Sequence, residues 1–233
     1  MIQTLSTSDE IKEFLGCEPL QAASFRVTMA CNLRCKQCYA IAGKRMPNEL
    51  TLAEIKRLLD ELKELGAIRI FFTGGEPFAR PDMLEILQYA DKNNFAMYIS
   101  TNGTLIRPDV LEQMASLEHL RTFQISIDGL HSAHDEIRGV PGTFDRAVKT
   151  IKLATKNLKS TKVAIISTLM KNNYDEMEKI LRFAIDLGVD TFGIVTLYPV
   201  KRSPDAIDVT TKQKYELFWK LGEIYRKEKT KLK

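Results

Sequence analysis

Three cysteines fall within eight residues, in the run Cys31-Asn-Leu-Arg-Cys35-Lys-Gln-Cys38-Tyr39. Gaps of three and two residues let one loop wrap a small metal cube, with each sulfur on a different iron, and soft thiolates favour such clusters. Three ligands leave one iron with an open coordination position, which catalysis requires. The competing reading is zinc. A structural zinc site wants four closed ligands, and the other candidates, Cys17, His119, His131 and His134, stand at no usual zinc-finger spacing from the triad. A disulfide with a spare thiol would suit an oxidising compartment. The sequence has no charged-then-apolar leader with a cleavage site, so the cytoplasm is the expected setting.

Other residues able to do chemistry recur at regular intervals downstream. Thr73-Gly74-Gly75-Glu76-Pro77 offers two glycines that permit close backbone approach, followed by a carboxylate and a stiff exit. Ser100-Thr101-Asn102-Gly103 and Ser126-Ile127-Asp128-Gly129 present small polar groups, although Asn-Gly and Asp-Gly are also strong turn formers. Then comes His134-Asp135-Glu136-Ile137-Arg138-Gly139, where His134 reads better as a loop-ordering hydrogen bonder than as a ligand.

These runs sit at the ends of predicted strands. β-branched and aromatic stretches at Ser24–Met29, Ile68–Thr73, Ala96–Ser100, Thr122–Ile127, Lys162–Thr168 and Thr191–Leu197 predict six strands. Between them, 3.6-residue periodicity predicts helices over Thr51–Leu65, Met83–Asn93, Pro108–Leu117, Phe144–Asn157 and Tyr174–Leu187, with a last one near Thr211–Arg226. Thr51 and Glu54 make a capping box, Pro81 and Pro108 mark helix starts, and Gly66 and Gly188 mark helix ends. Alternating β-α units with right-handed crossovers give either a flat doubly wound sheet or a curved partial barrel, and periodicity does not choose. Either way a ligand site belongs beyond the carboxyl ends of the strands, where the unusual residues fall. A chain of 233 residues fills one α/β domain, and 34 basic against 30 acidic side chains, net +4, is too mild a bias to argue for nucleic acid or a membrane surface.

The cysteine loop after strand one, with Gly-Gly-Glu after strand two, resembles the radical S-adenosylmethionine superfamily. The later Asp-Gly, His-Asp and Arg-Gly pattern resembles the branch that often adds a cysteine-rich SPASM or twitch extension. The resemblance implies an α/β fold, a partial (β/α)6 parallel barrel over residues 24–200, after a lead-in of 1–23 and before a C-terminal helix and basic tail at 201–233 with no auxiliary-cluster extension. It implies one 4Fe-4S cluster on Cys31, Cys35 and Cys38, and S-adenosylmethionine cleaved to a 5′-deoxyadenosyl radical that abstracts hydrogen from substrate. Cofactor contacts would come from Tyr39, Gly74, Gly75, Glu76 (to the methionyl ammonium), Asn102, Ser126, Asp128, Arg138 (to the methionyl carboxylate) and Leu197. Gln37 departs from the aromatic residue usual before the last cysteine, which moves the adenine contact toward Tyr39. An electron donor such as flavodoxin or ferredoxin is implied, with a peptide or small-molecule substrate and neither DNA nor a membrane. The reaction would be peptide or protein modification or cofactor maturation. The alternative from another class is a non-catalytic zinc- or cluster-binding interaction module, which has no need of Glu76 and Arg138 beside three thiols.

Overall fold

The computed structural model describes residues 20–197 and 208–228. Cys17, the lead-in before residue 20, the Pro199–Pro204 stretch and the last basic residues lie outside the described residues. The predicted strands are present as β1 (Ala22–Arg26), β2 (Arg69–Thr73), β3 (Ala96–Thr101), β4 (Leu120–Ser126), β5 (Lys162–Leu169) and β6 (Thr191–Thr196). Helices α1 (Leu52–Glu64), α2 (Met83–Lys92), α3 (Pro108–Met114), α4 (Ser132–Arg138), α5 (Thr143–Asn157), α6 (Met177–Asp186) and α7 (Thr211–Glu228) alternate with them.

Strand order decides between the two architectures. The strands lie in one parallel sheet in the order β1-β2-β3-β4-β5-β6. A doubly wound sheet reverses direction part-way, whereas unbroken sequential order with crossovers of one hand puts every helix on the same face. Burial agrees. Ile70 and Phe72, Met97 and Ile99, and Phe123 and Ile125 are fully buried under the helices, while their strand neighbours are intermediate or exposed. Strands covered on both faces would be buried throughout. The fold is therefore an open partial (β/α)6 barrel, with β1 and β6 each paired on one side only among the described residues.

The inner face of the sheet grades from apolar to polar. Phe71 and Tyr98 are register partners and stack at 4.6 Å between ring centroids. Nearer the carboxyl ends stand Ser100 and Gln124, which share a 3.2 Å hydrogen bond, and then Ser126 and Thr168.

Local signals explain most boundaries. Thr51 and Glu54 form the expected capping box, Pro108 occupies the first turn of α3, and Gly66 and Gly188 take φ of +86° and +66° at helix ends. β1 stops at Arg26, short of the expected Met29, because Thr28 turns its hydroxyl to Glu49 (2.9 Å) and accepts the Ala30 amide (3.0 Å). α4 was not predicted as a helix, since seven residues are too few for periodicity to register. Among the described residues no helix is long and apolar enough to cross a membrane.

Candidate active site at the carboxyl ends of the strands

The cysteine loop leaves β1 and is fastened on three sides. Glu49 holds its root, accepting from the Met29 amide at 2.7 Å and from the Thr28 hydroxyl. The end of β2 presses against it: Gly75 donates to Thr28 O (2.7 Å) and Glu76 donates to Ala30 O (2.8 Å). That contact requires glycine. A Cβ on Gly74 (φ +152°) would stand 2.5 Å from Thr28 O, and one on Gly75 would stand 2.3 Å from Ala30 O. From the other side the last carbonyls of α4 accept from the loop, Ile137 O from the Lys36 amide and Arg138 O from the Arg34 amide, both at 3.0 Å. The helix end thus finds in the loop the donors its final carbonyls lack.

Each thiol meets one donor. The Leu33 amide lies 3.5 Å from Cys31 Sγ, the Ala42 amide 3.4 Å from Cys38 Sγ, and Arg138 Nη1 3.7 Å from Cys35 Sγ. Donors aimed at sulfur suit thiolates that carry charge when ligated. Burial pushes the Cys31 thiol up to about 11 and also raises Cys35, against the pull of Arg138. Without metal both are therefore protonated at neutral pH, and ligation must release those protons. All three cysteines are free of disulfides. Among the described residues no three His, Cys, Asp or Glu side chains converge where one ion could sit.

The thiols line a cavity of about 170 Å³ together with Tyr39, Gly74, Gly75, Thr101, Asn102, Ser126, Arg138 and Thr168. The ends or following loops of five of the six strands, β1 to β5, thereby meet at one place. Six of the cofactor residues expected from sequence border this cavity. Glu76 stands behind the wall: its carboxylate is fully buried and accepts from Thr101 Oγ1 (2.6 Å), the Asn102 amide (2.7 Å) and the Phe78 amide (3.1 Å). Burial raises its pKa, and those donors oppose the rise. Asp128 is likewise fully buried, and burial raises its pKa against the pull of Arg138. One oxygen accepts the Thr168 amide (2.7 Å); the other pairs with Arg138 Nη2 (2.7 Å) and Gln37 Nε2.

Asn102 does the turn work its sequence suggested, with Oδ1 accepting from both the amide and hydroxyl of Thr104, and it reaches the cavity as well. Tyr39 is half exposed, and the Arg26 guanidinium lies 4.9 Å from its ring centre. Leu197, just past β6, is not among the lining residues. His134 accepts the Asp128 amide at Nδ1 (3.1 Å). Burial, with the neighbouring Arg138 charge, pushes its pKa down to about 3, so it stays neutral. Asp135 caps α5 from outside that helix, accepting from Gly142 N, Thr143 Oγ1 and Phe144 N. Glu49 and Arg80 were not singled out from sequence. Arg80 is buried and donates to Val27 O (3.1 Å) and Leu50 O (2.8 Å) while paired with Asp82. No local pattern marks either residue.

A larger cavity, about 480 Å³, lies between α6, β6 and α7. Its lining is mostly apolar, and its one acid, Asp190, is engaged by the Val163 amide, so size does not make it the site.

The sequence profile described as the radical SAM superfamily matches residues 25–184, more than half of the chain. The chain belongs to the radical SAM superfamily. This family uses a 4Fe-4S cluster and S-adenosylmethionine, and the three thiols, their donors and the strand-end cavity fit both. An AdoMet-dependent heme synthase of Methanosarcina barkeri is 30% identical over 212 residues, covering 90% of this chain and 60% of that protein. The mycofactocin maturase MftC of Mycolicibacterium smegmatis is 32% identical over 200 residues, covering 84% of this chain and 50% of that protein. The chain therefore spans about half to three-fifths of these relatives. Among solved radical SAM structures, Streptococcus suis SuiB bound to its precursor peptide SuiA superposes with a TM-score of 0.81 at 20% identity, covering 94% of this chain and 49% of SuiB. SuiB bound to S-adenosylmethionine gives 0.78 at 21% identity, covering 93% and 50%. These likenesses settle the partial-barrel fold.

Proposed function

We propose that the chain is the catalytic core of a radical SAM enzyme that modifies a peptide or protein or matures a cofactor. Cys31, Cys35 and Cys38 would hold the 4Fe-4S cluster, with S-adenosylmethionine in the adjoining strand-end cavity. When bound, the pair supplies a 5′-deoxyadenosyl radical that abstracts hydrogen from substrate. The chain's own residues would bind and orient. Gly74 and Gly75 leave room along the β2 wall, Ser126 and Thr168 offer hydroxyls, and Glu76 fixes the Thr101-Asn102 corner from behind. The inner face of the sheet, with Phe71 and Tyr98 below a polar rim, would take the substrate. Working in the cytoplasm, the enzyme would draw its electron from a flavodoxin or ferredoxin.

The observation that carries this reading is the convergence of three donor-assisted thiols with the ends of the neighbouring strands on one cavity. A peptide-modifying role is supported by the likeness to MftC and SuiB, and a cofactor-building role by the likeness to the heme synthase. Anaerobic reconstitution with iron and sulfide, then reduction with S-adenosylmethionine present, tests the chemistry. Four irons per chain and release of 5′-deoxyadenosine are expected. A stable zinc-loaded form that makes no 5′-deoxyadenosine would establish the non-catalytic binding module instead. A short precursor-peptide gene beside this one would select the peptide substrate.

A further inference from the structure

The polar cluster behind the cysteine loop holds more than the fold requires. Arg138 and Asp128 form an ion pair whose side chains are 9% and 0% exposed. Desolvating such a pair costs about what its attraction returns, and Asp128 already accepts from Thr168 and Gln37. Arg138, by contrast, is not saturated. Nη2 meets Asp128, Nη1 reaches Cys35 Sγ at 3.7 Å, and Nε is buried with no partner. Gln37, which holds the same carboxylate oxygen, lies in sequence between Cys35 and Cys38. The ligand loop thus grips the acid that holds the arginine, and the arginine points back at a ligand sulfur.

We propose that Arg138, held in place by Asp128 and Gln37, tunes the reduction potential of the cluster through the Cys35 sulfur. This rests on the reading of the three cysteines as cluster ligands. It gives Arg138 a role different from pairing with the methionyl carboxylate. Reduction adds one electron, supplied by the low-potential donor, to the cluster. A fixed positive charge and an N–H donor at a ligand sulfur stabilise the more negative form and raise the potential. Asp128 stands further back and subtracts from that effect.

The test is a redox titration of the reconstituted protein with dithionite and mediators, followed by electron paramagnetic resonance, without S-adenosylmethionine. Iron and sulfide are assayed first. Arg138→Gln is expected to take up the cluster but to weaken its reduction equilibrium about tenfold, about 59 mV downward for a one-electron couple. Asp128→Asn keeps an acceptor oxygen that can hold the arginine in place while removing the opposing charge, and is expected to shift the potential upward. A purely structural role cannot give opposite signs, because both substitutions break the same buried pair. Potentials that do not move, or that move together, overturn the proposal. So does an Arg138→Gln protein that binds S-adenosylmethionine weakly while its cofactor-free potential equals wild type, for then the arginine acts on the cofactor. Should Arg138→Gln fail to fold, Arg138→Lys keeps the charge but not the fork, and an intermediate downward shift is expected; an unshifted Arg138→Lys beside an unshifted Asp128→Asn overturns the proposal equally. A wild-type chain that assembles no cluster defeats the reading of the cysteines instead, and the iron assay separates the two failures.

Discussion

At the scale of single residues, the site is built from side chains that work from behind the surface. Glu76 is the clearest. The Gly-Gly-Glu run was legible in the sequence, but the sequence could not say that the carboxylate would be consumed by three donors, because only the Phe78 amide is local and the Thr101 and Asn102 donors arrive when β2 and β3 pair. Glu76→Gln replaces one acceptor oxygen with an amide nitrogen that faces the Asn102 amide. It is expected to lower stability by about 1–3 kcal/mol in urea unfolding of the metal-free chain, and to weaken S-adenosylmethionine binding in equilibrium dialysis by displacing Asn102. His134 gives a prediction in pH. Its folded pKa of about 3 lies below the ordinary 6.5. The unfolded chain therefore binds the extra proton first as pH falls, and His134's stabilising contribution is complete above pH 6.5 and is lost progressively down to about pH 3. Its share of the slope is at most about 1.4 kcal/mol per pH unit. His134→Gln keeps an acceptor for the Asp128 amide and should flatten the melting-temperature profile between those limits; an unchanged profile would place the titration elsewhere.

At the scale of elements, most of the alternation was legible because each strand is a short β-branched run and each longer helix has a sustained apolar face. α4 was not, since it is short and its purpose is tertiary: it lends carbonyls to the Arg34 and Lys36 amides and an acid to the start of α5. The glycines divide in the same way. Gly188 ends α6 with open space around it, whereas Gly75 lets β2 touch the ligand loop. Gly188→Ala should cost roughly 1 kcal/mol from left-handed strain and leave iron uptake intact. Gly75→Ala must push Ala30 away, so iron bound per chain should fall although the circular dichroism of the barrel persists. Equal iron uptake by both variants would show that the β2 contact does not shape the loop.

At the scale of the whole molecule, the choice between a flat sheet and a curved one was out of reach of periodicity and was made by strand order, a property of pairing between distant segments. Among the described residues, the same sequential winding leaves the inner face of the sheet uncovered beside the thiols. In air, a reconstituted cluster should therefore bleach within the time of an absorbance scan series at 400 nm or so, and replacing all three cysteines by alanine should abolish iron uptake altogether. The loop that bears the ligands is nevertheless tied to β2, to Glu49 and to the end of α4 by hydrogen bonds that involve no metal. Small zinc domains exist only while loaded; here the ties of the loop are bonds within the protein, and they are expected to hold it when iron is removed. A chain bleached in air is therefore expected to keep its far-ultraviolet circular dichroism and to take up iron and sulfide a second time; a bleached chain that unfolds would show that these bonds do not suffice.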